Sequence, residues 1–144
     1  MTSCVVDASV ATKWFLPAAG ESLAKEAWQV FQRFRDGRLR LLVPDLFWPE
    51  FGNIQWKAVR RERISRRSAE EAIAVIEGLA FVTAATRPLL KDAFEIAAAY
   101  ERSVYDGIYV ALAVSSGAPL VTADERLVNA LGSRFPVRWL GALA

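Results

Sequence analysis

The sequence predicts an α/β domain in which helices cover a central, mostly parallel sheet. Short apolar or β-branched runs recur along the chain, and a longer segment with helical periodicity follows nearly every one of them. The length of 144 residues suits one domain, and no repeat, low-complexity tract or linker-like stretch divides it. We therefore expect a single domain over residues 1–144.

The predicted elements alternate along the chain, and their boundaries follow from local composition. The strands are expected at Ser3–Val6, Leu39–Val43, Phe81–Thr83, Pro119–Thr122 and Val137–Leu140. The helices are expected at Ser9–Phe15, Glu21–Arg35, Leu46–Arg61, Ser68–Gly78, Thr86–Arg102, Ser103–Ser115 and Asp124–Leu131. Pro88 falls in a first helical turn, where proline is tolerated, and Ser103 with Asp106 has the spacing of a capping box.

The composition excludes several classes of enzyme. The chain has no histidine, which excludes Ser-His-Asp triads, Cys-His pairs, histidine acid–base ribonucleases and ordinary zinc sites. Any hydrolysis is therefore expected to use carboxylates together with a hard metal ion. The single cysteine, Cys4, lies in an apolar run and is expected to be a buried thiol.

The apolar segments do not resemble membrane spans or a signal peptide. Met1–Gly20 has no basic region before its apolar stretch, which Asp7 interrupts. Gly107–Val121 is too short, and too broken by serine, glycine and proline, to span a bilayer. We expect a cytoplasmic protein with no membrane contact.

Two aspartates directly follow predicted strands. Asp7 comes after the apolar run Cys4–Val6, and Asp124 comes one residue after Leu120–Thr122. In open parallel sheets, ligands bind beyond the carboxyl ends of the strands. Both acids are therefore expected at the functional edge, although an N-cap of the following helix explains either one alone equally well.

Glu50 and Asp106 lie where a charge is costly. Glu50 falls inside the apolar arc of its predicted helix, so it needs a partner, either an arginine or a metal ion. Asn53, one turn later, is a candidate hydrogen-bond donor to it. Asp106 is the only charge in the apolar segment Val104–Val114, although capping and the helix dipole account for an acid at that position.

Four acids that converged on one edge would repel one another, and a divalent cation would remove the conflict. Ligands that are all oxygen favour Mg²⁺ or Mn²⁺ over zinc or copper. The candidate catalytic residues and metal ligands are therefore Asp7, Glu50, Asp106 and Asp124.

The segments around these acids read VVDASVATKW, PEFGN, SVYDGIYVALA and LVTADERL. In this order and spacing they resemble the PIN-domain ribonucleases, most closely the VapC-type toxins of bacterial and archaeal toxin–antitoxin modules. The resemblance covers nearly the whole chain. It implies a PIN domain, which is a Rossmann-like, three-layer α/β/α fold.

The resemblance also implies an activity and partners. The expected activity is that of an endoribonuclease dependent on Mg²⁺ or Mn²⁺, the toxin of a type II VapBC system. The expected partners are an RNA substrate, a cognate antitoxin and a second copy of the chain. Asp7 and Asp106 would be the closest metal ligands, Glu50 and Asp124 would complete the cluster, and Ser9 would orient a carboxylate or a water.

Basic residues are clustered, although the net charge is only +2. The segments Arg33–Arg40 and Lys57–Arg67 suit a phosphate backbone, while a solvated turn or helix end explains each cluster alone. Arg60 and Arg61 are the candidate RNA contacts. Lys13 is a further candidate, for which a solvated helix position is an equal alternative.

Three other functions compete with this interpretation. An RNase H-type nuclease also uses four carboxylates but begins with consecutive antiparallel strands, whereas this chain becomes helical after its first strand. A phosphoacceptor signalling domain needs an aspartate after its central strand and a late lysine, and no lysine follows Lys91. A PIN-like module that binds RNA or protein without catalysis remains an alternative, although the four intact acids argue against it.

Overall fold

In the part of the chain that the structure describes, the strands form one five-stranded sheet in the order β3-β2-β1-β4-β5, and each pairing is parallel. The computed structural model describes residues 2–143. The strands are β1 (Thr2–Val6), β2 (Leu39–Pro44), β3 (Val82–Ala84), β4 (Leu120–Thr122) and β5 (Val137–Trp139). Each predicted strand is present, with its ends shifted by no more than one residue. The predicted parallel α/β fold is therefore confirmed.

Within residues 2–143, seven α-helices connect and flank the strands. They are α1 (Ala8–Ala11), α2 (Ala24–Arg35), α3 (Phe47–Arg60), α4 (Arg66–Glu77), α5 (Leu90–Tyr100), α6 (Val104–Ser116) and α7 (Glu125–Leu131). Some predicted helices are shorter than expected. The helix expected at Ser9–Phe15 divides into α1 and a 3-10 turn, and α2 starts only after Leu23, whose φ of 58° is left-handed.

The two faces of the sheet bury two separate cores, because side chains alternate across a strand. Cys4 and Val6 of β1 pack in the core that contains Phe47 and Phe51 of α3, together with residues of α2 and α4. Val5 points the other way, into the core formed by α5, α6 and α7. The helices therefore lie in two layers with the sheet between them.

The order of the strands reverses between β1 and β4. From β1 the chain moves outward to β2 and β3, and it then returns to place β4 on the other side of β1. The helices that follow these two neighbours diverge, which opens a crevice at the carboxyl edge of the sheet. Asp7 and Asp124 lie at the ends of these strands, so both acids fall at the crevice.

Cys4 is buried, as expected, with 5% of its surface exposed. Burial raises the pKa of its thiol to about 12, and the charges of Arg33 and Arg138 only partly offset that effect. No helix among residues 2–143 is both long and apolar enough to cross a lipid bilayer.

The two helices α5 and α6 approach each other closely at Gly107. A Cβ atom added there would lie 2.3 Å from the carbonyl oxygen of Ala93, which belongs to the backbone of α5. Real Cβ atoms do not approach a backbone oxygen so closely, so a side chain at this position would push the helices apart. Gly107 follows Asp106 directly, so the close packing also fixes the helix turn that carries this acid.

We therefore expect Gly107→Ala to destabilise the protein by about 1–3 kcal/mol through overpacking. Gly52 provides a matched control, because it lies inside α3 and a Cβ atom there would meet nothing within 4 Å. Gly52→Ala should stabilise the protein by up to about 1 kcal/mol through helix propensity. Urea unfolding measures both changes, and equal effects of the two variants would contradict the packing argument.

Candidate active site

All four predicted acids line one cavity of about 180 Å³ at the carboxyl edge of the sheet. Asp7, Glu50, Asp106 and Asp124 share it with Ser9, Ile54, Tyr109 and Leu127, among others. The acids come from four different places in the fold: the ends of β1 and β4, and the first turns of α3 and α6. Side chains distant in sequence thus meet in the crevice.

Asp7 is fixed by hydrogen bonds at the start of α1. Its Oδ1 accepts from the backbone N–H groups of Ser9 and Val10, at 3.1 and 3.3 Å, and from the hydroxyl of Ser9. Ser9 Oγ also accepts from the N–H of Ala123, at 3.3 Å. Ser9 therefore orients Asp7 and joins the end of β1 to the loop that follows β4.

Asp124 is fixed in the same way at the start of α7. Its Oδ1 accepts from the N–H groups of Arg126 and Leu127, at 3.0 and 3.3 Å, and its own N–H donates to Thr122 Oγ1 at 3.0 Å. Both strand-end acids are thus N-caps as well as cavity residues. The capping role and the site role, which are alternatives in the sequence, coexist in the fold.

Glu50 has a tyrosine as its hydrogen-bond partner. The hydroxyl of Tyr109, on α6, donates to Glu50 Oε1 at 2.6 Å. The bond expected from Asn53 is replaced by this one, because Asn53 is exposed on the outer side of α3. Tyr109 is buried, so it holds the glutamate against the cavity wall.

Asp106 has an arginine as its partner. Arg102 approaches Asp106 Oδ2 with Nε at 3.3 Å and Nη2 at 3.2 Å, and the same Nη2 lies 3.4 Å from Asp124 Oδ2. Ser103 caps α6 by accepting from the N–H of Asp106 at 3.0 Å. The backbone N–H of Asp106 thus makes one of the two hydrogen bonds of the predicted capping box. The carboxylate of Asp106 pairs with Arg102.

The cavity raises the pKa of three of its acids. Burial raises the pKa of Asp7, although hydrogen bonds from Ser9, Thr122 and the backbone lower it in part. Burial also raises the pKa of Glu50, and the charges of Asp7 and Asp106 add to this effect. Burial raises the pKa of Asp106, which the Arg102 charge opposes. The fold therefore holds these three carboxyls at a free-energy cost when they are ionised.

This donor set suits a hard divalent cation. All four candidate ligands are carboxylates, and oxygen ligands of this kind bind Mg²⁺ and Mn²⁺. Within residues 2–143, no three of these acidic side chains are arranged closely enough to form a complete metal site. Arg102 pairs with two of these acids, Asp106 and Asp124, at 3.2 and 3.4 Å.

The predicted RNA contacts lie outside this cavity. Lys13 Nζ pairs with Glu21 at 2.9 Å and its side chain is 9% exposed, so a phosphate contact would require the pair to open. Arg60 and Arg61 are exposed at the end of α3 and line, with Lys57, a second cavity of about 240 Å³. Glu50 lies ten residues earlier on the same helix, or ~15 Å along its axis.

Neither Tyr109 nor Arg102 was among the site residues predicted from the sequence. Tyr109 follows Asp106 by three residues on α6, and side chains at that spacing share a helix face, so the spacing was an available indication for Tyr109. Arg102 lies before α6, in the turn after α5, where helical spacing gives no such indication.

A family model described as PIN domain matches residues 4–131. The chain therefore belongs to the PIN-domain family. Within it, the chain is similar to Ribonuclease VapC3 of Pyrobaculum aerophilum, with 33% identity over 137 residues that cover 92% of this chain and 94% of that protein.

Two solved structures share the fold. One is the crystal structure of PAE2754 from Pyrobaculum aerophilum, with a TM-score of 0.72 and 24% identity, covering 99% of this chain and 92% of that chain. The other is VapC20 of Mycobacterium tuberculosis, described as a sarcin-ricin loop cleaving toxin, with a TM-score of 0.65 and 17% identity. The match covers 92% of this chain and 95% of VapC20. These likenesses agree with the parallel sheet and its two helical layers.

The raised pKa values have a consequence for stability in the absence of metal. A carboxyl whose pKa is raised on folding binds its proton more tightly in the folded state than in the unfolded state. The folded state is therefore favoured at low pH, and this advantage is lost as the pH rises through the raised pKa. Asp7→Asn removes the charge but keeps an acceptor for the N–H groups of Ser9 and Val10. It should therefore stabilise the protein in EDTA by an amount on the order of 1 kcal/mol near neutral pH.

The gain from Asp7→Asn should shrink as the pH falls, because the raised pKa lets the wild-type carboxyl take up a proton at a higher pH than a free aspartate does. Urea unfolding of both proteins at a neutral and an acidic pH measures it. A variant that is less stable than the wild type at both pH values would contradict a charge penalty at Asp7.

Proposed function

We propose that this chain is an endoribonuclease that requires Mg²⁺ or Mn²⁺ and acts as the toxin of a VapBC-type toxin–antitoxin system. The observation that carries the proposal is the meeting of four carboxylates in one cavity at the carboxyl edge of a parallel sheet. Membership of the PIN family and the similarity to a VapC ribonuclease support the choice of RNA as substrate.

The proposed roles of the acids are those that the family resemblance implies, and the meeting of all four in one cavity supports them. Asp7 and Asp106 are the nearest cation ligands, and Glu50 and Asp124 complete the acidic cluster. The hydroxyl of Ser9 hydrogen-bonds to Asp7 and orients its carboxylate. The hydroxyl of Tyr109 hydrogen-bonds to one oxygen of Glu50, and the same bond fixes the orientation of the second oxygen. When bound, a divalent cation supplies a Lewis acid that lowers the pKa of water and offsets charge on the phosphate.

The absence of histidine bears on the products. Cleavage through the 2′-hydroxyl of the RNA commonly relies on histidine as acid and base, whereas hydrolysis expels the 3′ oxygen and leaves 5′-phosphate and 3′-hydroxyl ends. The carboxylates present suit hydrolysis. We therefore expect products without 2′,3′-cyclic phosphate.

The basic end of α3 is proposed to hold the RNA backbone. Arg60 and Arg61 are exposed, and none of the ion pairs of residues 2–143 engages either of them. Arg66 and Arg67, by contrast, pair with Glu70 and Glu71 at 2.7 and 3.2 Å. Guanidinium groups at this end of α3, ~15 Å along the helix axis from Glu50, would bind phosphates of the same RNA strand outside the cavity.

A cognate antitoxin and a second copy of the chain are the proposed protein partners. Both follow from the relation to VapC proteins, one of which is described as a toxin. A PIN-like module that binds without cleaving is the competing function. It predicts RNA binding that does not depend on the carboxylates.

Cleavage of mixed RNA with Mn²⁺ tests the activity. Asp7→Asn and Asp106→Asn should each lower the rate by more than ~100-fold, because each removes a cation ligand. Asp36→Asn is the matched control and should keep full activity, since Asp36 is exposed between α2 and β2, at the opposite edge of the sheet. Excess EDTA should abolish cleavage, and end analysis should find 3′-hydroxyl groups.

Equal cleavage by the wild type and Asp7→Asn, full activity in EDTA, or cyclic phosphate ends would overturn the proposed activity. RNA binding without cleavage by any of the proteins would favour the competing function.

The role of the basic end of α3 has its own test. Replacing both Arg60 and Arg61 with alanine should weaken RNA binding and reduce its salt slope by about 1.4, at ~0.7 for each lost contact to single-stranded RNA. Replacing Arg66 and Arg67 is the control and should change the slope less, because glutamates already neutralise these arginines. Binding titrations at several salt concentrations measure the slopes, and an unchanged slope in the first variant would exclude these contacts.

A further inference from the structure

Arg102 is the basic group that faces the acidic cavity in the described part of the chain. Its side chain is 22% exposed and pairs with two of the four acids, one on α6 and the other at the start of α7. The resemblance to the family assigns no role to it, and neither does the proposed mechanism. Its guanidinium lies between Asp106 and Asp124, where a cation shared by these two carboxylates would otherwise bind.

The backbone holds Arg102 in this place. Helix α5 ends at Glu101, whose φ of 54° and ψ of 44° are left-handed and unfavourable for a residue with a side chain. The N–H of Arg102 then donates to the carbonyl oxygen of Ala97 at 3.0 Å. The sharp turn aims Arg102 at the crevice rather than along the axis of α5.

The hydrogen bonds divide the carboxylates into two groups. Asp124 has both oxygens engaged, Oδ1 by the N–H groups of α7 and Oδ2 by Arg102. Asp106 gives its Oδ2 to Arg102. On the other side, Asp7 and Glu50 have only neutral donors, namely hydroxyl and backbone N–H groups.

The two groups of carboxylates also differ in how far positive charge balances them. Arg102 places a positive charge beside Asp124, whereas the donors to Asp7 and Glu50 are all neutral. Glu50 lines the same cavity as Asp7 and Asp106, and carboxylates gathered in one cavity repel one another when ionised. The uncompensated part of the cavity is therefore the part that attracts a divalent cation.

We propose that Arg102 is a positioning residue that takes the place of a second cation, so that the site binds one divalent ion, held by Asp7, Glu50 and Asp106. This inference rests on the proposed function, since it concerns the same cavity. Asp124 then acts through Arg102 and the N-terminus of α7 rather than as a cation ligand. Arg102 contacts two of the site's acids and fixes their separation.

Counting bound Mn²⁺ tests the proposal without any measurement of activity. The metal-free full chain is titrated with Mn²⁺ alone, and binding is followed by calorimetry and by the loss of the free-ion electron paramagnetic resonance signal. The wild type should bind one ion per chain, and Asp7→Asn should lose it. Arg102→Gln, which removes the charge at similar size, should bind a second ion.

Two further variants locate the second ion. Arg102→Gln combined with Asp124→Asn should return to one ion, because the new position needs the carboxylate of Asp124. Arg102→Lys keeps a positive charge and should stay at one ion. A purely structural ion pair would alter stability in these variants but leave the number of bound ions unchanged.

The outcomes separate this inference from the proposed function. Two ions in the wild type, or a single ion in Arg102→Gln, would overturn the role of Arg102 and leave the metal-dependent nuclease intact. A wild type that binds no Mn²⁺ would overturn the proposed function and the inference together. If Arg102→Gln fails to fold, Arg102→Ala takes its place, and a single ion in that variant would overturn the role of Arg102 in the same way.

Discussion

Repulsion between carboxylates in one cavity is the constraint on which the site is built. Burial raises the pKa of Asp7, Glu50 and Asp106, and neighbouring carboxylates add to this effect at Glu50 and Asp106, so the fold holds these acids at an energetic cost. Local donors limit that cost, because the hydroxyl of Ser9 binds Asp7, the hydroxyl of Tyr109 binds Glu50 and a guanidinium pairs with Asp106. Negative charge that exceeds what these donors balance is what makes the cavity suited to a cation.

The topology explains how the acids meet. Strands β1 and β4 are neighbours at the point where the strand order reverses, and they bring Asp7 and Asp124 together. Glu50 and Tyr109 come from α3 and α6, which pack against opposite faces of the sheet. Their hydrogen bond joins residues that are 59 positions apart and ties the two helical layers together beside the crevice. The site therefore depends on both cores rather than on either alone.

The sequence predicted the backbone framework better than the partners of the site residues. Apolar runs and their spacing located all five strands, and a glutamate inside an apolar helical arc indicated a residue that faces the cavity. The partner of Glu50 was missed because Tyr109 looks like one more apolar residue of a buried helix, and its reach to α3 depends on how the layers pack. The turn that aims Arg102 was missed because a left-handed glutamate has no sequence pattern.

Cys4 lies on the central strand three residues before the first acid of the site. Its thiol is shielded from solvent, and with a pKa of about 12 it stays protonated near neutral pH, so it resists alkylating reagents while the sheet is intact. As the single cysteine, it becomes reactive when the core that covers β1 opens and exposes the thiol. The unmodified chain therefore contains its own chemical reporter of opening events at the strand on which the cavity is built.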